Sequence, residues 1–332
     1  MAVSVKDVAA AASVSVGTVS NVLNRPEKVA PETVARVQAA IGRLGFVRND
    51  AARQLRAGRS RSIGLIVLDS ANPFFAEVAR GAQERAADQG ISVLLGSSDQ
   101  SADRENAYLD LFREQRVNGV LLTPQLLDEA RAETLIDAGL PIVLLDAELD
   151  GGGLPSVAVD DVEGGHLAVA HLLAQGRRRI AFVGPTSIRQ VADRLAGARR
   201  ALAEVAGATL EVIETDALTV LDGRKIGEAI AGRARDDRPD AVFCANDLLA
   251  VGVLQGAAIL GAIRVPEEVA LVGYDDIEFA QSTVVPLSSV RQPARAIGAA
   301  AVDVLFERLD DPASAPRHVR FRPELVVRAS SR

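Results

Sequence analysis

The 332-residue chain has one cysteine, Cys244, one methionine, three histidines and no tryptophan. A single cysteine forms no internal disulfide, so the fold must rest on packing alone. So few sulfur and imidazole ligands leave little for a metal site, and none is expected. No run of about 18 apolar residues occurs, so no membrane-spanning helix is expected. The opening MAVSVKDVAAAASVSV lacks a basic segment followed by an apolar stretch, so no signal peptide is expected and the chain reads as cytoplasmic. There is no G-x-S-x-G elbow, Walker A loop or Rossmann glycine fingerprint, so neither an enzyme nor a cofactor is expected.

What is present is apolar material, 48% of the residues, enough to fill sizeable cores. The length suggests two domains with a small extra module. The net charge of −7 hides an asymmetry: residues 1–62 hold ten basic residues and four acids, a balance of +6, so the remaining 270 carry −13. A basic head on an acidic body suits a polyanion-binding module joined to a soluble sensor or enzyme.

The first 48 residues read as three short helices. Ser4 can cap the first, with Asp7 three residues on, and Val5, Val8, Ala9 and Ala12 form its apolar face. Ser15 can cap the second, which buries Val19, Val22 and Leu23. Pro31 opens a third, with Val34, Val37, Ile41 and Leu44 at helical spacing. Two short helices around a tight turn, the second opening with small residues, form a helix-turn-helix, whose second helix enters the major groove by its N-terminal end. Here Val16 could touch a thymine methyl and Asn21 a base edge, while the hydroxyls of Ser15, Thr18 and Ser20 suit phosphates. Ser4, Gly17, Asn24 and Lys28 complete the candidate DNA contacts of the head. Residues 49–60, NDAARQLRAGRS, read as a hinge or linker.

From residue 61 short β-branched runs alternate with helical stretches. Strands are predicted at 63–67, 91–95, 119–123, 141–145, 156–159, 180–184, 241–244 and 269–273. Helices fit between them at 74–89, 103–116, 161–175, 188–205, 246–260 and 293–308. Repeated β-α units imply an α/β fold with parallel sheets covered on both faces, and about 270 residues suggest two subdomains.

The segment from Val3 to Ser60 resembles the DNA-binding head of the lac repressor (LacI/GalR) family of bacterial transcriptional regulators. The residues carrying the resemblance are Val5, Val8, Ala9, Ala12, Val14, Ser15, Thr18, Val19, Ser20, Val22, Leu23 and Asn24. It implies that Val16, Gly17 and Asn21 read bases, that the turn position, often glycine in the family, is Ser13, and that a hinge helix spans Asn49 to Ala57. Leu55 corresponds to that helix's minor-groove wedge, flanked by Arg53 and Arg56. The body then resembles a type I periplasmic-binding-protein fold, two αβα subdomains joined by three crossovers. The boundaries implied are 1–48 for the head, 49–60 for the hinge and 61–332 for the sensor. Within the sensor, an N-subdomain would take about 61–160 and 292–320, and a C-subdomain about 161–291 and 321–332.

Ligands in such folds sit at the carboxyl ends of strands. Phe74 and Phe75 follow Asn72-Pro73, matching the family's N-P-[FY]-[FY] segment. Asp146 ends a strand, and Arg194 lies in an R-L-A-G segment whose arginine contacts the effector; it could donate two hydrogen bonds to a hydroxyl pair or carboxylate. Leu218, Asn246, Asp275 and Gln292 complete the candidate effector set. Asp247 and Asp276 read as helix caps, and Cys244 as core. His166 reads as structural, while His171 and His318 have no nameable partner.

The resemblance implies a homodimeric repressor on a pseudo-palindromic double-stranded operator, controlled by a small effector. The C-terminus lacks a leucine heptad, so no coiled-coil tetramer is expected. Carboxylates and amides around an aromatic suit a sugar. The rival is a purine, but where the purine-binding branch has an arginine this chain has Ile188. A sugar-binding transport component and a sugar-modifying enzyme are the readings from other classes.

Overall fold

A computed structural model of the protein describes residues 3–46, 60–137, 139–149, 153–259 and 263–332. The chain divides into two compact units, residues 1–59 and 60–332. The expected hinge helix, with Arg53, Leu55 and Arg56, lies outside the described residues.

The first unit contains α1 (Val5–Ala11), α2 (Val16–Asn24) and α3 (Pro31–Leu44). Ser4 and Asp7 form a capping box: the Asp7 amide donates to Ser4 Oγ, and the Ser4 amide donates to Asp7 Oδ2 at 2.8 Å. These bonds hold the Asp7 carboxyl below its ordinary pKa. The Ser4 hydroxyl also donates to Asp7, at 2.7 Å. Ser13 makes the turn at φ +53°, the left-handed conformation that costs a side-chain-bearing residue more than glycine. Val8, Ala9, Ala12, Val19, Val22, Val37 and Ala40 form the buried centre of the three-helix core. Burying each valine contributes about 1.5–3 kcal/mol.

The second unit holds two six-stranded sheets. The first lobe uses β1 (Ser62–Val67), β2 (Ser92–Ser97), β3 (Val120–Leu122), β4 (Ile142–Leu145) and β5 (Ser156–Val159), alternating with α4 (Pro73–Ala87), α5 (Ala102–Glu114) and α6 (Glu129–Asp137). The chain then crosses through α7 (Asp161–Ala174) into the second lobe. There β6 (Arg179–Val183), β7 (Thr209–Ile213), β8 (Ala241–Cys244), β9 (Ala270–Asp275) and β10 (Ser288–Arg291) alternate with α8 (Arg189–Ala203), α9 (Val220–Gly232) and α10 (Asp247–Ile259). It returns through α11 (Ala294–Asp310) to β11 (His318–Phe321) of the first sheet, and crosses again to β12 (Glu324–Val326) of the second.

The strand orders are β2-β1-β3-β4-β5-β11 and β7-β6-β8-β9-β10-β12, parallel except for β12 against β10. Each order reverses beside the lobe's first strand, at β1/β3 and at β6/β8. Such a switch point opens a crevice at the carboxyl ends of the strands. Central strands such as β4 and β8 are buried along their whole length, which is why they read as continuous apolar runs.

Sequence patterning missed β7, β10, β11, β12, α6 and α9. The strands β11 (HVRF) and β12 (ELV) are short, half-exposed and carry charges. In α9, VLDGRKIGEAIAG, the glycines argue against a helix. Gly223 and Gly227 stand there because α10 passes too close for a side chain: a Cβ on Gly223 would lie 2.1 Å from the Leu249 carbonyl oxygen. The pair α7/α8 packs the same way. A Cβ on Gly165 would lie 1.9 Å from the Arg194 carbonyl, and one on Gly197 would lie 1.9 Å from that of Val162.

This contact yields a test. Gly165→Ala should destabilise the fold by about 1–3 kcal/mol or more, because the clash is with backbone, which cannot rotate away. Urea denaturation of the variant measures it, and an unchanged midpoint would refute backbone-to-backbone packing of α7 on α8.

Candidate functional site

The two crevices face each other. Between them lies a cleft with about 470 Å³ not filled by protein atoms, open solvent included. The first lobe contributes Leu68, Asp69, Asn72, Phe74, Phe75, Gln100 and Asp146; the second contributes Ile188, Gln190, Val191, Arg194, Leu218, Asn246 and Asp275. Seven of the eight expected effector residues are therefore brought together. The eighth, Gln292, is not among the lining residues. It stands behind Asp275, and its amide donates to Asp275 Oδ1 at 2.8 Å.

Phe74 and Phe75 lie in the first turn of α4, which Asn72 caps by accepting from the Phe74 amide at 3.0 Å. Their rings meet edge to face, centroids 5.1 Å apart, and both are also part of the first-lobe core.

Arg194 is buried, not a surface group. Its Nε donates to Asp161 Oδ1 at 2.8 Å and its Nη1 to the Ala245 carbonyl at 2.7 Å. The guanidinium lies 3.7 Å from the centre of the Tyr274 ring. Burial opposes the charge, but Asp161, Tyr274, Asp275 and Asp146 together hold it above its ordinary pKa. These bonds use two of the five guanidinium N–H groups, so the two-pronged contact expected from the sequence would fall to the others. Asp161 and Tyr274 had not been singled out. Asp161 stands two residues after β5, so the strand-end rule that selected Asp146 could have found it.

Asp146 and Asp275 end their strands with φ +54° and +101°, in conformations strained for residues with a side chain. Asp275 accepts from Gln292 and, at 3.3 Å, from Asn72 of the opposite lobe. Burial pushes its carboxyl up to about 6 against the pull of Arg194 and these amides. Asp146 is driven well above its ordinary value by burial and by Asp161. Gln190, also missed, donates across the lobes to the Asp146 carbonyl at 2.7 Å.

Several roles change. Asn246 lines the cleft, but its Oδ1 accepts from the Leu249 amide at 2.9 Å and so caps α10, the role expected of Asp247. Its amide donates to the Leu218 carbonyl at 3.3 Å. Asp247 reaches the other way, accepting from the Ile277 amide at 2.9 Å and from the Ser289 hydroxyl at 2.7 Å. Asp276 caps no helix either; it pairs with Arg291 at 2.8 Å and Arg328 at 2.6 Å. His171 meets the Ser331 hydroxyl at 2.8 Å, His318 meets that of Ser156 at 2.8 Å, and His166 meets Glu204 at 3.1 Å. Cys244 is buried in β8, which raises its thiol pKa.

In the head, Val16, Gly17 and Asn21 are exposed along the start of α2. Ser15 Oγ accepts from the Thr18 amide at 3.0 Å and lies 2.9 Å from the Thr18 hydroxyl. Asn24 donates to the Ser20 carbonyl at 2.9 Å and hydroxyl at 3.3 Å, so these two side chains brace each other. Lys28 ends the exposed turn Pro26–Lys28. A Cβ on Gly17 would come no nearer than 3.6 Å to Ser15 Oγ, so nothing inside the head requires glycine there.

Residues 4–49 match the family described as bacterial regulatory proteins, lacI family, and residues 169–331 match a periplasmic binding protein-like domain. The HTH-type transcriptional repressor PurR of Aliivibrio salmonicida is 33% identical over 331 residues, 98% of either chain. The chain belongs to the lacI family. Among solved structures, the lac repressor dimer bound to operator and the anti-inducer ONPF aligns over 100% of this chain and 99% of its own, with a TM-score of 0.85 and 27% identity. The transcriptional regulator CelR–cellobiose complex aligns over 99% of both chains, with a TM-score of 0.72 and 30% identity. The family assignment makes this chain a DNA-binding transcriptional repressor. Among the described residues no helix is long and apolar enough to cross a membrane.

Asp275 gives the cleft a pH signature. An acid raised from 3.8 to about 6 on folding stabilises the fold fully only below pH 4, and this contribution disappears as pH rises through 6. The shift corresponds to about 3 kcal/mol. Asp275→Asn should remove it. The stability difference, wild type minus variant, should therefore favour wild type more at pH 4.5 than at pH 7. Urea titrations at the two pH values measure this, and a difference independent of pH would exclude it.

Proposed function

We propose that this protein is a cytoplasmic homodimeric repressor that binds a pseudo-palindromic operator and is controlled by a sugar held between its lobes. Residues 1–48 form the DNA-reading head, 49–60 the hinge and 61–332 the sensor. Val16, Gly17 and Asn21 face bases; Ser15, Thr18 and Lys28 serve phosphates, with Ser20 and Asn24 bracing the helix. Leu55, flanked by Arg53 and Arg56, wedges the minor groove. Two-fold pairing follows from the use of two heads on one operator.

The observation that carries the reading is the cleft itself: a switch-point crevice with an aromatic pair from one lobe and buried carboxylates and amides from both. A sugar presents an apolar C–H face and a rim of hydroxyl pairs, which these groups match. The CelR structure, a cellobiose complex, supports this class. The PurR relatives support a purine as the second reading. Against it stand Ile188, where an arginine would be needed, and Leu218, which offers no ring to sandwich a planar base.

Three measurements test the proposal. A gel-shift titration with DNA from upstream of the protein's own gene should show a salt-sensitive specific complex, and its absence at every sequence would favour a binding protein without a regulatory role. Leu55→Ala should weaken specific operator binding far more than non-specific binding, and equal losses would defeat the wedge. Asn21→Ala should cost about 1–3 kcal/mol on the operator and relax the preference at one base pair. A uniform loss over all base pairs would place Asn21 on phosphate.

A further inference from the structure

We infer that the effector is an uncharged, unphosphorylated polyhydroxy compound, and that the cleft rejects phosphorylated and acidic sugars. This rests on the sugar reading above and narrows it. The inference comes from a census of the polar atoms lining the cleft. Three carboxylates, Asp69, Asp146 and Asp275, line the cleft with a single guanidinium, Arg194, which is itself paired with the buried Asp161. Several of the side-chain donors that could meet an anion already have protein partners. Asn72 donates to Asp275, Gln190 to the Asp146 carbonyl and Asn246 to the Leu218 carbonyl. Arg194 uses Nε on Asp161 and Nη1 on the Ala245 carbonyl.

An acceptor is left over. Asp146 is 5% exposed, lines the cleft, and its Oδ1 has no hydrogen-bond partner among the described residues. A buried carboxylate oxygen without a partner carries a desolvation cost that a donor in the cleft would relieve. The raised pKa of Asp146 has the same origin, burial beside Asp161. What Asp146 lacks is therefore a donor, and a phosphate or carboxylate group placed against it supplies none. It would also bring another negative charge beside Asp146 and Asp275, where low polarity strengthens the repulsion.

A hydroxyl answers both needs. It donates to Asp146 Oδ1 and, as an acceptor, can take a backbone N–H. The first turn of α8 provides one: its cap, Ile188, makes no side-chain capping bond, and Ile188, Gln190 and Val191 line the cleft. That turn alone could attract an anion. Gln190 in the same turn is hydrogen-bonded to Asp146, which places the carboxylate beside it.

The test is a thermal-shift screen of wild-type protein, followed by calorimetry on every hit. The panel contains ribose, glucose, galactose, fructose, cellobiose and maltose, the available monophosphates and aldonic or uronic acids of these sugars, and adenine, guanine and hypoxanthine. The expected result is a neutral sugar as ligand, with its phosphate or acid form at least about tenfold weaker. In Asp146→Asn, with the charge removed, that ratio should shrink. A phosphate or acid binding as tightly as its neutral parent overturns the inference and leaves the sugar reading intact. A nucleobase as the sole binder, or no binder at all, overturns the sugar reading and the inference with it. An Asp146→Asn ratio equal to wild type removes Asp146 as the cause of the rejection and overturns the argument from the carboxylate census.

Discussion

The buried Arg194–Asp161 pair is the interaction on which the second half of the cleft depends. It joins α7 to α8, and through the Ala245 carbonyl it reaches the end of β8. The face of Tyr274, in β9 just before Asp275, packs against the guanidinium. One side chain thus fixes two strand ends and two helices. The pair is in place only because α7 and α8 touch backbone to backbone at Gly165 and Gly197. Removing one partner of a buried pair leaves an uncompensated charge and typically costs about 3–5 kcal/mol. Arg194 is therefore as much a structural element of the lobe as a contact for a ligand, and truncating it would confound the two roles.

Around that fixed half, unfavourable features collect at the strand ends. Asp146 and Asp275 carry positive φ, and each is buried with its ionised form disfavoured. The central strands, such as β4 and β8, are apolar and buried along their length, so little in them opposes folding. Local strain and buried charge are tolerated where the surrounding elements over-determine the backbone, and a crevice between two six-stranded sheets does so.

Most of this architecture was legible in the sequence because its signals are local. Caps at Ser4, Ser15 and Asn72, apolar runs in the central strands and small residues opening α2 each follow from a few neighbouring residues. The cleft was legible through one rule, that residues just after strands line it, and this found Asp146 and Asp275. Its failures have a common cause. Gln190 and Asp161 matter because of partners distant in sequence, and Asn246 takes the cap expected of Asp247 because Asp247 is held by Ser289 and Ile277, far along the chain. The short strands β11 and β12 owe their existence to the sheets they complete, not to their own composition.

The contacts between lobes suggest how a cleft ligand could be felt elsewhere in the sensor. Asn72 reaches Asp275, and Gln190 reaches Asp146; each bond joins opposite lobes, and all four residues line the cleft. A ligand among them must either keep these bonds and add to them, or replace them. In both cases its binding energy depends on the spacing of the lobes. A ligand shifts an equilibrium only by its differential affinity for the states involved. Here that difference is built in, because the groups that would hold the ligand are the ones that set the lobe spacing. Three chain crossings, after β5, β10 and β11, constrain the motion that remains.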